Sequence, residues 1–178
     1  MMRLFFLVCC SLLLTACGFH LQQEKNLAPP LHRIYLQAPD PYGQLARSLK
    51  EYLKQSHVHF VNSSQEASTI LVISQDEPTQ ELLSVSGTQQ TRQYNLRVTV
   101  TYSVTTAKGA TIIPSQTLTE ARAITIQSNQ ILGSSNEANL FYQQIRRTIA
   151  YNMVNRLASN YATHMINQAF HETELSAT

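Results

Sequence analysis

The sequence predicts an α+β fold: a two-layer α/β sandwich with two helices packed on one face of a four-stranded mixed sheet, in the order β-α-β-β-β-α. Three observations carry this. Tyr94, Leu96, Val98, Val100, Tyr102 and Val104 alternate with Asn95, Arg97, Thr99, Thr101, Ser103 and Thr105, which is the period of a strand with one apolar face. Phe141, Ile145, Ile149, Met153 and Leu157 recur every fourth residue, as the buried stripe of a helix does. Short turn sequences, Ser86-Gly87-Thr88 and Lys108-Gly109, separate three strand-like runs, so those runs pair antiparallel.

Each element has its own local reason. Leu21 to Pro30 reads as a tether ending in Pro29-Pro30, an extended and semi-rigid pair. Arg33 to Leu36 is the first strand. Asp40-Pro41 opens a helix, with Asp as N-cap and Pro at the first helical position. Leu45, Leu49, Tyr52 and Leu53 then share one face, while Arg47, Lys50 and Lys54 face water; the helix ends near Ser56. Ser68 to Ser74 carries the unbroken apolar run Ile70 to Ile73, a strand buried on both faces. It continues, after a break at Pro78, through Glu81 to Val85. Beyond the alternating strand, Thr111 to Ile124 forms a weaker one, and Pro114 confines its first part to an edge. Ser134-Ser135-Asn136-Glu137 is a capping box ahead of the long helix, whose stripe is widened by Ala138, Ala150, Val154 and Ala158. His171 to Thr178 shows no packing pattern and is expected as a frayed tail.

The first residues are not part of that fold. Arg3 gives a positive start, and Leu4 to Leu14 is uncharged. This run suits a signal-peptide core and is shorter than the ~20 residues of a spanning helix. It ends in Leu14-Thr15-Ala16-Cys17, a lipobox: the Cys17 thiol takes a diacylglycerol, and cleavage before Cys17 then frees an amino terminus for a further acyl chain. Several chains anchor stably, at ~0.8 kcal/mol per buried methylene. Gly18, in place of Asp, favours the outer membrane. Cys9 and Cys10 leave with the signal, so no cysteine remains for a disulfide or a thiolate metal site.

Charged residues make up 13 % of the chain and the net charge is +2, so no basic field advertises nucleic acid. Gln, Asn, Thr and Ser supply most of the polarity. Such groups suit enclosure in a polar cavity, because they hydrogen-bond without the desolvation cost of ions; compositional drift explains the same bias. No catalytic constellation stands out. Five glycines are too few for a phosphate loop, there is no nucleophile elbow, and the acidic residues are scattered. His57 and His59 share a face if that stretch is extended, but no third ligand stands nearby. His164 and His171 read as surface or core residues of the last helix. The expectation is therefore no enzyme, no metal and no cofactor beyond the covalent lipid on Cys17.

Cys17-Gly18-Phe19-His20-Leu21 resembles the mature start of the LptE family of lipopolysaccharide-assembly lipoproteins. The likeness continues through Pro41-Tyr42-Gly43-Gln44-Leu45 with Arg47, through Gln93-Tyr94-Asn95-Leu96, and through Asn129, Leu132 and Glu137 to Arg156-Leu157. The resemblance implies a division into residues 1–16 (signal peptide), 17–30 (lipidated tether), 31–170 (α/β sandwich) and 171–178 (flexible tail). It also implies an outer-membrane subunit on the periplasmic side, paired about one to one with an LptD-type β-barrel. There the subunit plugs the barrel, helps it assemble and aids lipopolysaccharide delivery to the outer leaflet. Because phosphates call for basic partners, Arg97 on the polar strand face, Arg92 at the mouth of that strand, and Arg122 beside them across the sheet are expected to form one small patch of candidate lipopolysaccharide contacts. The alternative for them is solvation or pairing with barrel carboxylates. A lipid-anchored scaffold of another envelope machine, and a tethered hydrolase, are the rival readings.

Overall fold

The computed structural model describes residues 26–88, 91–127 and 131–175 of the 178-residue chain. The signal segment, Cys17 and Asn129 lie outside the described residues. The elements are β1 (Arg33–Gln37), α1 (Gln44–Gln55), β2 (His59–Phe60), β3 (Thr69–Val85), β4 (Thr91–Thr106), β5 (Thr111–Gln127), α2 (Ile131–Leu157) and α3 (Asn160–Leu175). One mixed sheet runs β2-β1-β3-β4-β5, with β1 parallel to β2 and β3, and β3, β4 and β5 antiparallel. The α+β class holds. The sheet has five strands where four are expected, because His59–Phe60 adds a two-residue edge beside Arg33 and Ile34. Three helices replace two, because the long helical run turns at Ala158-Ser159.

That turn has a chemical origin. The Ser159 hydroxyl donates to the Arg156 carbonyl at 2.6 Å and accepts from the Ala162 amide at 3.2 Å. Ser159 thus ends one helix and caps the next. α3 runs through Leu175, so helix enters the segment expected as a tail. At its other end α2 starts at Ile131, which puts Ser134 inside the helix and not at a cap. Similarly, Asp40 does not cap α1. Its carboxylate accepts from the Tyr42 amide at 3.1 Å in a turn, and α1 begins at Gln44 after Gly43. The tether expectation changes too. Pro29-Pro30 opens a 3-10 turn (Pro29–His32), since a fixed φ suits the first helical position. Leu27, Ala28 and Leu31 are buried there against the core.

β4 behaves as its alternation demands: Leu96, Val98, Val100, Tyr102 and Val104 are buried on one side. Against that side pack Ile145, Ile149, Met153 and Leu157 of α2, Leu45, Leu49 and Leu53 of α1, and Ile166 of α3. Burial of each large aliphatic side chain contributes about 1.5–3 kcal/mol. Pro78 does not break β3. β1 pairs only with Ile34↔Thr69 through Gln37↔Val72, so from Ser74 onward β3 is an edge and needs no amide on its outer side. Pro114 likewise sits on the edge strand β5. Gly109, at φ +86°, makes the β4–β5 turn in the left-handed region.

Candidate functional site

Register decides which side chains meet. In antiparallel pairs, opposed residues share a face. Val98 is buried on the helix side, so Arg97, Thr99 and Thr101 lie on the other, helix-free side. Thr119 and Thr117 oppose Thr99 and Thr101 across β5, and Gln75 opposes Thr101 across β3. The Thr99 and Thr119 hydroxyls lie 3.3 Å apart, and those of Thr101 and Thr117 3.1 Å apart. The Thr101 hydroxyl also donates to Gln75 Oε1 at 3.1 Å. Towards the β3–β4 turn the same face carries Asn95, Gln93 and Ser84, and the Ser84 hydroxyl donates to Gln93 Oε1 at 3.3 Å. From Gln75 to the hairpin end the helix-free face is therefore mostly hydroxyls and amides, interrupted by Glu77, Glu81, Arg97, Ala121 and Ala123, while Ile70 and Val72 make it more apolar beside β1.

The three expected arginine contacts are not one patch. Arg122 opposes Leu96 and so projects to the helix side, where it donates to Gln144 Oε1 at 2.7 Å and lies 4.7 Å over the Phe141 ring. Arg92 is on the helix side as well, opposite Ile126 and Val85, four residues along the strand. At ~3.3 Å per residue it is about 13 Å from Arg122. Arg97 is on the opposite face, exposed between Thr79 and Ala121. Near Arg92 the hairpin end exposes Leu82, Leu83 and Val85.

A link the sequence did not suggest fastens this hairpin to the helices. Arg146 Nε lies 2.9 Å from both carboxylate oxygens of Asp76, and the Tyr142 hydroxyl donates to the Thr79 carbonyl at 3.0 Å. Burial raises the Tyr142 hydroxyl above the usual tyrosine range, opposed by Arg146. Asn152 donates to Glu120 Oε1 at 2.8 Å, tying β5 to the same helix. Arg147 of α2 reaches the Tyr52 hydroxyl at 3.2 Å and Glu51 at 3.5 Å, both on α1. These partners are up to 96 residues apart in the chain, so no local pattern announces them.

At the other end, the α2–α3 turn leaves a cavity of about 150 Å³ against β4 and β5. Ile113, Leu157 and Ala162 form its apolar wall; Tyr102, Gln116, Arg156, Ser159 and Tyr161 supply polar atoms. The Tyr102 hydroxyl donates to Gln116 Oε1 at 3.0 Å. Burial pushes its pKa up, and the neighbouring Arg156 guanidinium pulls partly against that.

The histidines do not assemble. His57 takes a left-handed φ of +59° after α1, which turns the chain away from the extended run needed for a pair with His59. His164 and His171 are exposed on α3. Among the described residues no group of three or more His, Cys, Asp or Glu is placed to hold a metal ion. No described helix is long and apolar enough to cross a membrane.

The family model LptE, described as lipopolysaccharide-assembly, matches residues 31–157. The chain is similar to the LPS-assembly lipoprotein LptE of Pectobacterium atrosepticum, with 28 % identity covering 97 % of this chain and 94 % of that one. It is similar at 28 % identity to the protein of the same name from Yersinia pestis strain Pestoides F, over 88 % of this chain and 76 % of the relative. Two solved structures share the fold. Lipoprotein B of Nitrosomonas europaea superposes with a TM-score of 0.65 at 17 % identity, over 84 % of this chain and 96 % of that one. A minor lipoprotein of Acinetobacter baumannii gives 0.59 at 21 % identity, over 74 % and 93 %.

Proposed function

The chain belongs to the LptE family of lipopolysaccharide-assembly proteins, and on that premise we propose that it is an outer-membrane lipoprotein subunit of the lipopolysaccharide translocon. In this reading Cys17 carries the lipid, and the domain sits on the periplasmic side. It plugs and helps assemble an LptD-type β-barrel at about one to one, and aids lipopolysaccharide delivery to the outer leaflet.

The observation that carries the reading is the helix-free sheet face. A barrel lumen is polar. Hydroxyl and amide groups such as Thr99, Thr101, Thr117 and Thr119 exchange water for wall groups without stripping ions of hydration. The length of the sheet fits the same task. β3 has 17 residues, about 55 Å at ~3.3 Å per residue, which exceeds the ~30 Å apolar thickness of a bilayer. The N-terminal segment Leu27–Leu31 packs at one end of this span, where the Thr69 hydroxyl donates to the Pro30 carbonyl at 3.3 Å. The β3–β4 turn lies at the far end. Lipid at the first end would leave the hairpin projecting into the barrel.

Arg92 and Arg122 on one side of the hairpin, and Arg97 on the other, are then proposed as two separate places for lipopolysaccharide phosphates, with Arg97 equally suited to a barrel carboxylate. The test is affinity purification of the full-length tagged lipoprotein from detergent-solubilised outer membrane. Recovery of a large β-barrel at near-equal stoichiometry is expected. Recovery alone, or with periplasmic proteins only, would point to a scaffold of another envelope machine.

A further inference from the structure

We propose that the cavity at the α2–α3 turn is a binding site for an aliphatic carboxylate, with Arg156 holding the carboxylate and Ile113 and Leu157 packing its stem. The site lies beyond the translocon reading and does not depend on it.

Charge is the first argument. Arg156 is exposed at the cavity mouth beside the Tyr102 hydroxyl, and among the described residues no ion pair joins it to a carboxylate. The Tyr102 proton is already directed to Gln116 Oε1, so that oxygen is an acceptor for Arg156. A guanidinium has five N–H donors in a planar fork. One bond to a phenol oxygen leaves most of the fork for a ligand. A single carboxylate neutralises it. A phosphate, at about −1.5 to −2, is typically met by a cluster of basic groups, and Arg156 is the one cation in the lining.

Size and wall chemistry agree. A dry cavity of about 150 Å³ takes a benzene-sized molecule, so this volume accommodates about six heavy atoms. Butyrate, or the end of a glutamate side chain, has that size. Ile113 and Leu157 are buried and give the methylenes apolar contact, while Tyr161 is exposed at the rim and provides an aromatic edge. The same chemistry is offered by a glutamate side chain or chain terminus of another protein, or by a free short-chain acid.

The test uses the full-length lipoprotein in detergent micelles with ¹³C-labelled tyrosine, titrated with butyrate, inorganic phosphate and butylamine. Butyrate is expected to shift the Tyr102 and Tyr161 resonances saturably, and the other two probes are not. Arg156→Gln should weaken butyrate about tenfold or more, the worth of a charge-assisted hydrogen bond, with Arg156→Lys retaining part of the affinity. The far-UV spectrum of each variant reports that the fold is kept. Absence of a saturable shift, equal binding of phosphate, or an unchanged affinity in Arg156→Gln overturns the site. Co-purification then identifies the source. Reduced partner recovery with Arg156→Gln assigns a protein carboxylate, and unchanged recovery with lost butyrate binding assigns a free acid; either supports the site. Loss of the partner from the wild-type protein would count against the translocon reading alone.

Discussion

Removing the carboxylate of Asp76 tests how the projecting hairpin is held. Asp76 lies on β3 beyond the reach of β1, so its strand is paired there on one side only. The Arg146 Nε–H, 2.9 Å from both oxygens, fastens this edge to α2. Side-chain exposure is 18 % for Arg146 and 20 % for Asp76, between a solvated pair at ~0–1 kcal/mol and a buried pair whose rupture costs ~3–5 kcal/mol. A single N–H shared by two oxygens is weaker than the two parallel bonds of a fork-to-fork pair. Asp76→Ala should therefore cost about 2 kcal/mol. For a chain of this size that lowers Tm by about 4–8 °C, at ~2–4 °C per kcal/mol. The assay is urea unfolding of the full-length protein in detergent, followed by far-UV circular dichroism, for wild type, Asp76→Ala, Arg146→Met and the double variant. Arg146→Met keeps most of the packing stem and removes the charge. The coupling energy isolates the pair, and about 1–2 kcal/mol is expected. A coupling below about 0.5 kcal/mol would refute the argument, placing the pair with surface ion pairs and leaving β3 held by backbone hydrogen bonds and Tyr142 alone.

Other perturbations have equally definite outcomes. Ile149→Ala, at a fully buried position in the centre of α2, should cost about 2–5 kcal/mol in the same unfolding assay, whereas Leu140→Ala, exposed on the same helix, should stay within about 0.5 kcal/mol. Gly109→Ala should destabilise by about 1–2 kcal/mol, because an L residue is strained at φ +86°; an unchanged midpoint would contradict the turn. The Tyr102 pKa is raised above 10.0 by burial, so the fold favours its protonated form. Its contribution is full below pH 10 and is lost as pH climbs through the higher folded value. Alkaline titration of stability should accordingly show a decline above about pH 10 that is smaller in Tyr102→Phe. Cys17→Ser should abolish labelling by radioactive palmitate and release the protein from the membrane fraction; retained labelling would exclude Cys17 as the lipid site.

Local chemistry made much of this legible in advance. The two-residue period from Tyr94 to Val104 named the buried side of β4, because side chains of a strand alternate whatever surrounds it. The Ile145, Ile149, Met153 and Leu157 stripe named the covering face of α2 for the same reason at a helical period. Pro78 misled because proline reads as a break, and only the short reach of β1 makes its position an edge where the missing amide is harmless. Asp40 misled because an Asx turn and a helix cap look alike locally.

The sequence by itself determined the α+β class, the antiparallel β3–β4–β5 order and the apolar faces, all of them properties of neighbouring residues or fixed short periods. Tertiary structure alone decided that Arg97 parts from Arg92 and Arg122, that Asp76 meets Arg146, and that Tyr102, Gln116 and Arg156 converge on one cavity. The physical reason is register. One residue of slip, such as the bulge between Ile73 and Gln75, sends every later side chain of a strand to the other face, and the choice among registers is made by packing between elements far apart in the chain.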